Sequence, residues 1–343
     1  MKKPTRKNAF DNEYKVVIYF IAVALLMLCI KGCGGGGSTS TANTGPVSDD
    51  STSEETTPPP TDNSAETGFT SLSEVTLSAD GPGTPDNTYE RIEAVFAEGS
   101  IEAPDLFEGD HTDTPHIVED TDDIVGDHFV FLAHRDLDFN KGVQSDRQRN
   151  EIKSYDKSDN KVLGFKDETM QFEWYFHVSS EMSLTSKFSH FFQLKARNDS
   201  EDDSNGNDDQ PVITLSAVEK DSSGKELQVR HSTGNNPDGT RTDDVYLVKT
   251  NWSDIADEWV HVFVQSTFSE EGTFKMVLTR LRDDAVIIDV DESNIDMWRG
   301  VSEEDFIRPK WGIYRSTAEI EKLRADEEQV RFANFVVRKG TPD

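Results

Sequence analysis

Residues 171–178 read Gln-Phe-Glu-Trp-Tyr-Phe-His-Val, and every second side chain in this stretch is large and apolar. Successive side chains of a β-strand point to opposite faces, so Phe172, Trp174, Phe176 and Val178 share one face and the intervening residues share the other. A strand with this pattern buries one face and presents the other to solvent. The stretch therefore predicts a half-buried strand of a sheet.

The same alternation returns along most of the chain after residue 120. Further strands are predicted at 128–133, 211–218, 227–231, 244–249, 259–267, 273–281, 285–290 and 329–338. Turn-rich segments such as 221–224 and 234–239 separate them. Many short strands within about 250 residues favour an all-β fold, a two-sheet β-sandwich of the jelly-roll, concanavalin-like kind. A closed barrel is the alternative, and a helix is expected only around residues 317–326.

The N-terminus has the composition of an export signal. Four basic residues among the first seven precede an apolar run at 16–30, which is short for a membrane span and fits a signal peptide. The run leads into Gly32-Cys33, and residues 1–33 resemble a bacterial lipoprotein signal. This resemblance implies lipidation of Cys33 and a lipid anchor at the outer membrane or cell surface, with the periplasm or the medium as other destinations. An uncleaved anchor helix is the alternative.

A low-complexity segment follows the signal. Residues 34–75 consist largely of Gly, Ser, Thr, Pro, Asp and Glu, and the chain contains no Lys or Arg between Lys31 and Arg91. Such a composition buries too little apolar surface to offset the entropy of ordering, so a flexible tether is predicted. Residues 76–343 are then the folded domain. Cys29 and Cys33 are the chain's two cysteines, so this domain contains no disulfide and no cysteine metal site.

The formal net charge of −31 argues against nucleic acid as a partner. It also opposes a polyanionic ligand at long range. Salt limits this repulsion to about 10 Å at 0.1 M, so a local cluster of Arg and Lys can still bind an anion.

Three strand-like segments carry such a cluster. In the first segment, alternation places Arg147, Arg149, Glu151 and Lys153 on one face. In the second, Gln193 and Lys195 share a face. In the third, Lys310 and Tyr314 share a face with Gly312 between them. Charged faces are poorly suited to a core, because buried charges are costly unless paired. The missing side chain of Gly312 leaves room for a ligand to approach. Together these faces predict a site for an anionic sugar.

Cleavage of a uronate polymer by elimination needs three groups. A charge or amide donor must neutralise the carboxylate beside the weakly acidic C5 proton, and Arg149 and Gln193 suit this task. A base must take the proton and an acid must protonate the departing O4. Tyr314 is the candidate acid, and it could also be the base if Lys310, Arg315 or Arg149 lowers its pKa from about 10.

The same segments resemble those of jelly-roll polysaccharide lyases. Residues 149–153 (Arg-Asn-Glu-Ile-Lys) look like the arginine-x-glutamate strand of alginate lyases, and residues 310–314 (Lys-Trp-Gly-Ile-Tyr) look like their tyrosine strand. Gln193-Leu194-Lys195 stands where that family has glutamine-isoleucine-histidine. A longer pattern consists of residues 146–153, His190, residues 193–195 and residues 312–315. This pattern is more similar to ulvan lyases, glucuronan lyases and, more remotely, heparin lyases. The resemblance implies an endolytic lyase with Arg149 and Gln193 as neutralising groups and Tyr314 as the catalytic tyrosine.

Further residues complete the predicted site. Substrate binding is assigned to Arg147, Glu151, Lys153, Lys195, Lys310, Arg315 and His190. His134, at a strand end, is the candidate histidine base. His190 precedes Gln193 by three residues, so in a regular strand it faces the core, whereas a bulge would reverse it. A core histidine is the favoured interpretation of His190.

Several alternatives stay open from the sequence. The cationic face could be a solvated ladder of ion pairs. A non-catalytic carbohydrate-binding module could use the same face, and a glycoside hydrolase would need paired carboxylates, for which Asp289 and Asp291 offer only a weak pattern. Residues 198–210 have calcium-like spacing, but Val212 stands in place of the expected glutamate, so a mobile acidic loop is favoured. No cofactor is expected to be required, a structural calcium ion stays open, and a monomer is expected.

Overall fold

The structure is a computed structural model, and it describes residues 68–83, 87–198, 208–236 and 238–343. The predicted signal, the lipidation site Cys33 and residues 34–67 of the predicted tether lie outside these ranges. Within them, no helix combines the length and the apolar composition needed to cross a bilayer.

Antiparallel strands make up most of the described chain. The elements are β1 (Phe69–Leu77), α1 (Thr88–Phe96), β2 (Ile101–Glu102), β3 (Ile117–Asp122), β4 (Gly126–Ala133), β5 (Arg147–Lys153), β6 (Thr169–Val178), β7 (Ser189–Arg197), β8 (Pro211–Lys220), β9 (Gly224–His231), β10 (Val245–Asn251), β11 (Val260–Thr267), β12 (Gly272–Arg280), β13 (Ala285–Ile295), β14 (Phe306–Ser316) and β15 (Glu328–Pro342). Short 3₁₀ turns occur at Pro104–Leu106, Asn160–Val162, Trp252–Asp254 and Ile320–Lys322.

The strands form two sheets packed face to face. One sheet has the order β13-β12-β11-β6-β15-β4-β3, with β1 also paired to β15. The other, which we call the polar-face sheet, has the order β10-β9-β8-β7-β14-β5-β2. Both sheets are open at their edges, so the two-sheet sandwich predicted from the alternating pattern is confirmed and the closed barrel is wrong.

Aromatic side chains fill the space between the sheets. Trp174 of β6 lies 4.5 Å from Phe192 of β7 and 5.9 Å from Trp311 of β14, measured between ring centroids. Phe335 of β15 contacts Trp311 from the same side at 5.2 Å. All four are buried. Because Trp311 points inward, its neighbours Lys310 and Gly312 belong to the outer face of the polar-face sheet.

Two elements differ from the sequence-based expectation. The region around residues 317–326 contains only the short turn Ile320–Lys322, whereas an α-helix forms earlier, at Thr88–Phe96. Its N-cap Asn87 accepts a hydrogen bond from the Tyr89 amide, and Ile92 and Phe96 are buried, so capping and a narrow apolar stripe stabilise it. The predicted domain boundary at residue 76 lies inside β1, which pairs with β15 from Phe69 onward.

Candidate active site

The outer face of the polar-face sheet brings most of the predicted site residues into neighbouring rows. Tyr314 of β14 is paired with Arg149 of β5 on one side and with His190 of β7 on the other. Four residues earlier in β14, on the same face, Lys310 is paired with Lys153 and with Gln193. The residues expected to neutralise the carboxylate, the candidate acid and the substrate-binding cations therefore share one surface. The alternative of a solvated ladder of ion pairs does not describe this face, because many of its side chains are buried.

Tyr314 is held between two arginines. Arg147 Nη1 donates a hydrogen bond of 2.8 Å to the Tyr314 hydroxyl, and the Arg149 guanidinium carbon lies 3.9 Å from the ring centroid. Arg147 is itself paired with Asp146 at 2.6 Å. The Tyr314 side chain is 9% exposed. A negative charge that develops on this hydroxyl would therefore be stabilised by both guanidinium groups.

His190 lies beside Tyr314, which corrects the favoured prediction that it faces the core. The pairing of β7 with β8 shifts between His190 and Phe192, and the pairing of β7 with β14 shifts between Trp311 and Tyr314. Such a bulge reverses the alternation between His190 and Gln193, so both face outward. The His190 and Tyr314 ring centroids are 5.9 Å apart.

The hydrogen bonds of His190 fix its tautomer. Its Nδ1 lies 2.7 Å from the hydroxyl of Ser216, which in turn donates to the Thr214 hydroxyl. The Ser216 oxygen therefore accepts from Nδ1–H, and Nε2 carries the lone pair. Burial, and secondly the charge of Arg230, hold the pKa of His190 well below its usual range. The imidazole is thus neutral, and Nε2 is its acceptor nitrogen.

Two buried glutamates organise the cations. Glu102, on β2, contacts Lys141, Lys153 at 2.6 Å and Lys310 at 2.8 Å. Glu151 accepts from Lys310 at 2.7 Å and from Arg149 Nη1 at 2.6 Å, and it also accepts from the Gln193 amide.

The cations around Glu102 and Glu151 outnumber the carboxylates, so this cluster has a net positive charge. Four cations surround two carboxylates, which leaves two positive charges in excess. Burial opposes ionisation of Glu102, but Lys310, Arg149 and the neighbouring lysines hold its pKa well below its usual range. Burial, and then the nearby Arg149, lowers the pKa of Lys310 to about 8. The sequence did not single out Glu102, because its two-residue strand shows no alternation.

A second, less compensated pair of cations lies along the same strands. Lys195 and Arg308 are paired across β7 and β14. Lys195 Nζ donates to the backbone carbonyls of Asp208 and Asp209. Burial, followed by the charges of Lys310 and Arg308, lowers its pKa to about 7. The side chain of Arg308, which sequence reasoning missed, makes no hydrogen bond or ion pair with the described residues, and its Nε is buried.

Gly312 has a structural role that differs from the predicted one. Its φ is +140°, and a Cβ built on it would lie 2.1 Å from the Asn150 carbonyl oxygen of β5. The strand backbones approach too closely there for any side chain. The missing side chain is therefore required by the sheet, and it does not mark space for a ligand.

Arg315 and His134 do not lie on the polar face, and both predictions are corrected here. Arg315 points into the sandwich, is fully buried, donates to Gln148 at 3.0 Å and pairs with Glu328. Its alternation with Tyr314 requires this, since the two are neighbours in one strand. His134 lies behind β5, beside His116, so it is not the base for Tyr314.

The acidic features fall outside the polar face. Asp289 and Asp291 are exposed on β13, the edge strand of the opposite sheet. They are not placed to act with Tyr314 as a glycosidase pair. Of the calcium-like segment 198–210, residues 199–207 lie outside the described chain. A separate cluster of His111, His116, His134 and Asp138 has the composition of a metal site.

Comparisons with known proteins agree with this architecture. No family model matches the sequence, and no curated protein matches it. Among solved structures, an alginate lyase from Aplysia kurodai superposes with a TM-score of 0.51 and 11% identity over 78% of this chain and 98% of that one. An endo-β-1,4-glucuronan lyase from the fungus Trichoderma reesei shares 16% identity over 71% of this chain and 94% of that one, with a TM-score of 0.46. At 11% identity the likeness to the Aplysia kurodai enzyme establishes the fold, and the resemblance to jelly-roll polysaccharide lyases is confirmed at that level.

Proposed function

We propose that this protein is a polysaccharide lyase that cleaves an anionic polymer of uronic acids by β-elimination. The observation that carries the proposal is the arrangement of Arg149, Tyr314 and His190. An arginine, a phenol and a neutral imidazole with a free Nε2 stand side by side on a cationic sheet face. These are the three groups that the elimination requires.

Charge supports binding of the polymer. The excess of cations around Glu102 and Glu151, together with Lys195 and Arg308, favours a polyanion locally although the whole chain is acidic. Arg149 keeps Nη2 without a hydrogen bond to the described residues, so a donor is available to a substrate carboxylate. Neutralisation of that carboxylate by Arg149 and Gln193 stabilises the carbanion-like transition state.

His190 and Tyr314 carry out the two proton transfers. His190 Nε2 takes the C5 proton of the uronate, and the electron pair of that C–H bond forms the C4–C5 double bond as the C4–O4 bond breaks. Tyr314 gives its hydroxyl proton to O4, and the guanidinium of Arg147 stabilises the resulting phenolate. The products are one chain with an ordinary reducing end and one with an unsaturated uronate.

We propose an ulvan-like or glucuronan-like polymer as the substrate. Lys195 stands where the resembling alginate lyases have histidine, and Arg308 lies beside it, so an additional anionic group on the polymer would meet two cations. The sulfate of an ulvan-like chain suits this pair, whereas a glucuronan-like chain, which carries only carboxylates as alginate does, would bring the carboxylate of a neighbouring sugar to it.

The test uses the purified full-length protein and a panel of ulvan, glucuronan, alginate and heparin-like chains. We expect ultraviolet absorbance of the unsaturated uronate to rise on ulvan or glucuronan, and Tyr314→Phe to abolish the rise. Saturable binding with no new double bond would instead support a carbohydrate-binding module. New reducing ends without ultraviolet absorbance would support a glycoside hydrolase.

Export and anchoring are part of the same proposal. We infer that the lipid on Cys33 holds a monomeric enzyme outside the cytoplasm, where long polysaccharides are accessible. Metabolic labelling with a fatty acid is expected to mark the wild-type protein, and Cys33→Ser is expected to remove the label and release the enzyme from the membrane fraction. Equal labelling of both would contradict the lipid assignment.

A further inference from the structure

A compact cluster of three histidines and one aspartate lies behind β5, on the side opposite the polar face. It contains His111 and His116 from the segment before β3, and His134 and Asp138 from the turn after β4. The Asn150 amide donates to the His116 carbonyl at 2.7 Å, which ties the cluster to the inner side of β5. We propose that this cluster is a structural zinc site, with His111 Nδ1, His116 Nε2, His134 Nδ1 and Asp138 Oδ1 as the four ligands.

Four of the six separations between ligand atoms are close to those expected around one tetrahedral ion, and all four atoms lie within 4.8 Å of one another. Asp138 Oδ1 lies 3.1 Å from His111 Nδ1, 3.0 Å from His116 Nε2 and 3.4 Å from His134 Nδ1. His116 Nε2 and His134 Nδ1 are 3.3 Å apart. Metal–ligand bonds of about 2.0–2.1 Å in a tetrahedron place the ligands about 3.3 Å from one another.

The rings are arranged so that their nitrogens converge. The three imidazole planes are mutually close to perpendicular, at 82°, 85° and 88°, with centroids 4.8–5.1 Å apart. Stacked or parallel rings would not direct three nitrogens at one point. His116 and Asp138 are almost fully buried, and the other two side chains are 15% and 17% exposed. The cluster is therefore nearly closed to solvent.

The outer nitrogens of two rings face carboxylates, as in metal-bound histidines. His116 Nδ1 lies 3.1 Å from Asp105, and His134 Nε2 lies 3.0 Å from Glu327. Asp138 is fixed through its second oxygen, which accepts from the His134 amide at 2.6 Å. Such partners orient imidazole ligands and raise their basicity.

The ligand types select the metal. Calcium takes six to eight oxygen ligands, whereas three imidazoles and one carboxylate suit zinc. Four protein ligands leave no open position, which is typical of a structural site. The site also differs from the oxygen-rich calcium site considered from the sequence.

The structural role is to brace the loop that supports Arg149. The Gln148 amide donates to the carbonyls of His134, Arg135 and Asp138, at 2.7–3.0 Å. Two residues beyond Asp138, the Asn140 side chain accepts from Arg149 Nε at 2.9 Å. A zinc ion would lock the 134–140 turn in a chain whose two cysteines, at 29 and 33, cannot cross-link it.

The experiment begins with the untagged full-length protein produced in zinc-supplemented medium. We expect about one zinc ion per chain by mass spectrometry, and the intense visible absorption of tetrahedral cobalt after exchange with Co²⁺. A zinc chelator should lower the melting temperature by several degrees, and Zn²⁺ but not Ca²⁺ should restore it. Protein without zinc, without a cobalt spectrum and with an unchanged melting temperature would overturn the proposal and leave a hydrogen-bonded cluster.

Glu327→Gln is the variant that tests the site without removing a ligand, and Glu327 is partly exposed. We expect its zinc affinity, measured by competition with a chromophoric chelator, to fall about 10–100-fold. His261→Gln, on the opposite sheet, is the matched control and should keep the wild-type affinity. Equal affinities in all three proteins would contradict the assignment of His134 as a ligand. These readouts do not use activity, so they are independent of the proposed reaction.

Discussion

His190 and Tyr314 face each other across β7 and β14, with their ring centroids 5.9 Å apart. One is a neutral imidazole whose Nε2 carries the lone pair, and the other is a phenol that accepts a hydrogen bond from Arg147. Proton acceptor and proton donor are thus separate groups on the same surface. This division allows an elimination without requiring one tyrosine to perform both transfers.

Replacement of Tyr314 by Phe removes the hydroxyl group, and with it both the acidic proton and the acceptor of the Arg147 hydrogen bond. We expect kcat to fall about 10²–10⁴-fold, because general acid catalysis contributes on this scale, while binding of the polymer is retained. The rate is followed by ultraviolet absorbance and binding by calorimetry. Tyr175→Phe, on the outer face of the opposite sheet, is the control and should be fully active. Full activity of Tyr314→Phe would remove this residue from the mechanism.

Replacement of His190 by Gln keeps a hydrogen-bonding side chain next to Ser216 but removes the basic nitrogen. We expect kcat to fall at least about 10²-fold with little change in KM. His261→Gln is the matched control, since His261 contacts Glu173 on the other sheet at 3.1 Å. If His190→Gln stays active while Tyr314→Phe is inactive, Tyr314 is both acid and base.

The sequence predicted the fold well because alternation is a local property. Phe172, Trp174 and their neighbours specify a half-buried strand wherever it lies in the sheet. The same alternation correctly placed Arg149 and Glu151 on one face of β5, and Lys310 and Tyr314 on one face of β14. The same argument failed for His190, because a single extra residue in β7 reverses the alternation, and no sequence pattern marked that bulge.

Other parts of the site depend on contacts between distant segments. Glu102 lies in a strand of two residues, and only pairing with β5 brings it to Lys153 and Lys310. His111 and His116 precede β3, whereas His134 and Asp138 follow β4, so the cluster that they form appears only once these two strands pair. Local spacing carries no information about such contacts.

The pKa of Lys195 predicts how KM depends on pH. Burial, with Lys310 and Arg308 nearby, lowers this pKa to about 7, so the amine loses its charge as the pH rises above that value. An anionic substrate binds the charged form, and we expect KM to increase between about pH 6 and pH 9. Lys195→Arg stays charged throughout and should show a flatter profile. Identical profiles would show that Lys195 does not bind the substrate.

Arg308 carries the most unusual charge on the polar face. Its Nε is buried without a hydrogen-bond partner, and burial lowers its pKa. A guanidinium nitrogen that is buried without a partner costs stability, and an anionic ligand beside Arg308 would offset this cost. Arg308→Met keeps the aliphatic stem and removes the charge. We expect KM to rise about tenfold and the free energy of unfolding to increase by about 0.5–2 kcal/mol.

Arg315 lies on the same strand as Arg308 but differs from it in having a paired guanidinium. It is also buried, but it is paired with Glu328 and bonded to Gln148. Arg315→Met leaves Glu328 without its cation, so we expect a loss of about 3–5 kcal/mol in the free energy of unfolding. Urea unfolding of both variants, beside steady-state kinetics, separates the two roles. A binding residue weakens KM without loss of stability, whereas a structural one loses stability. If Arg308→Met is destabilised as strongly as Arg315→Met and its KM is unchanged, Arg308 belongs to the framework of the sheet, and Lys195 and Arg308 do not form a second anion-binding site.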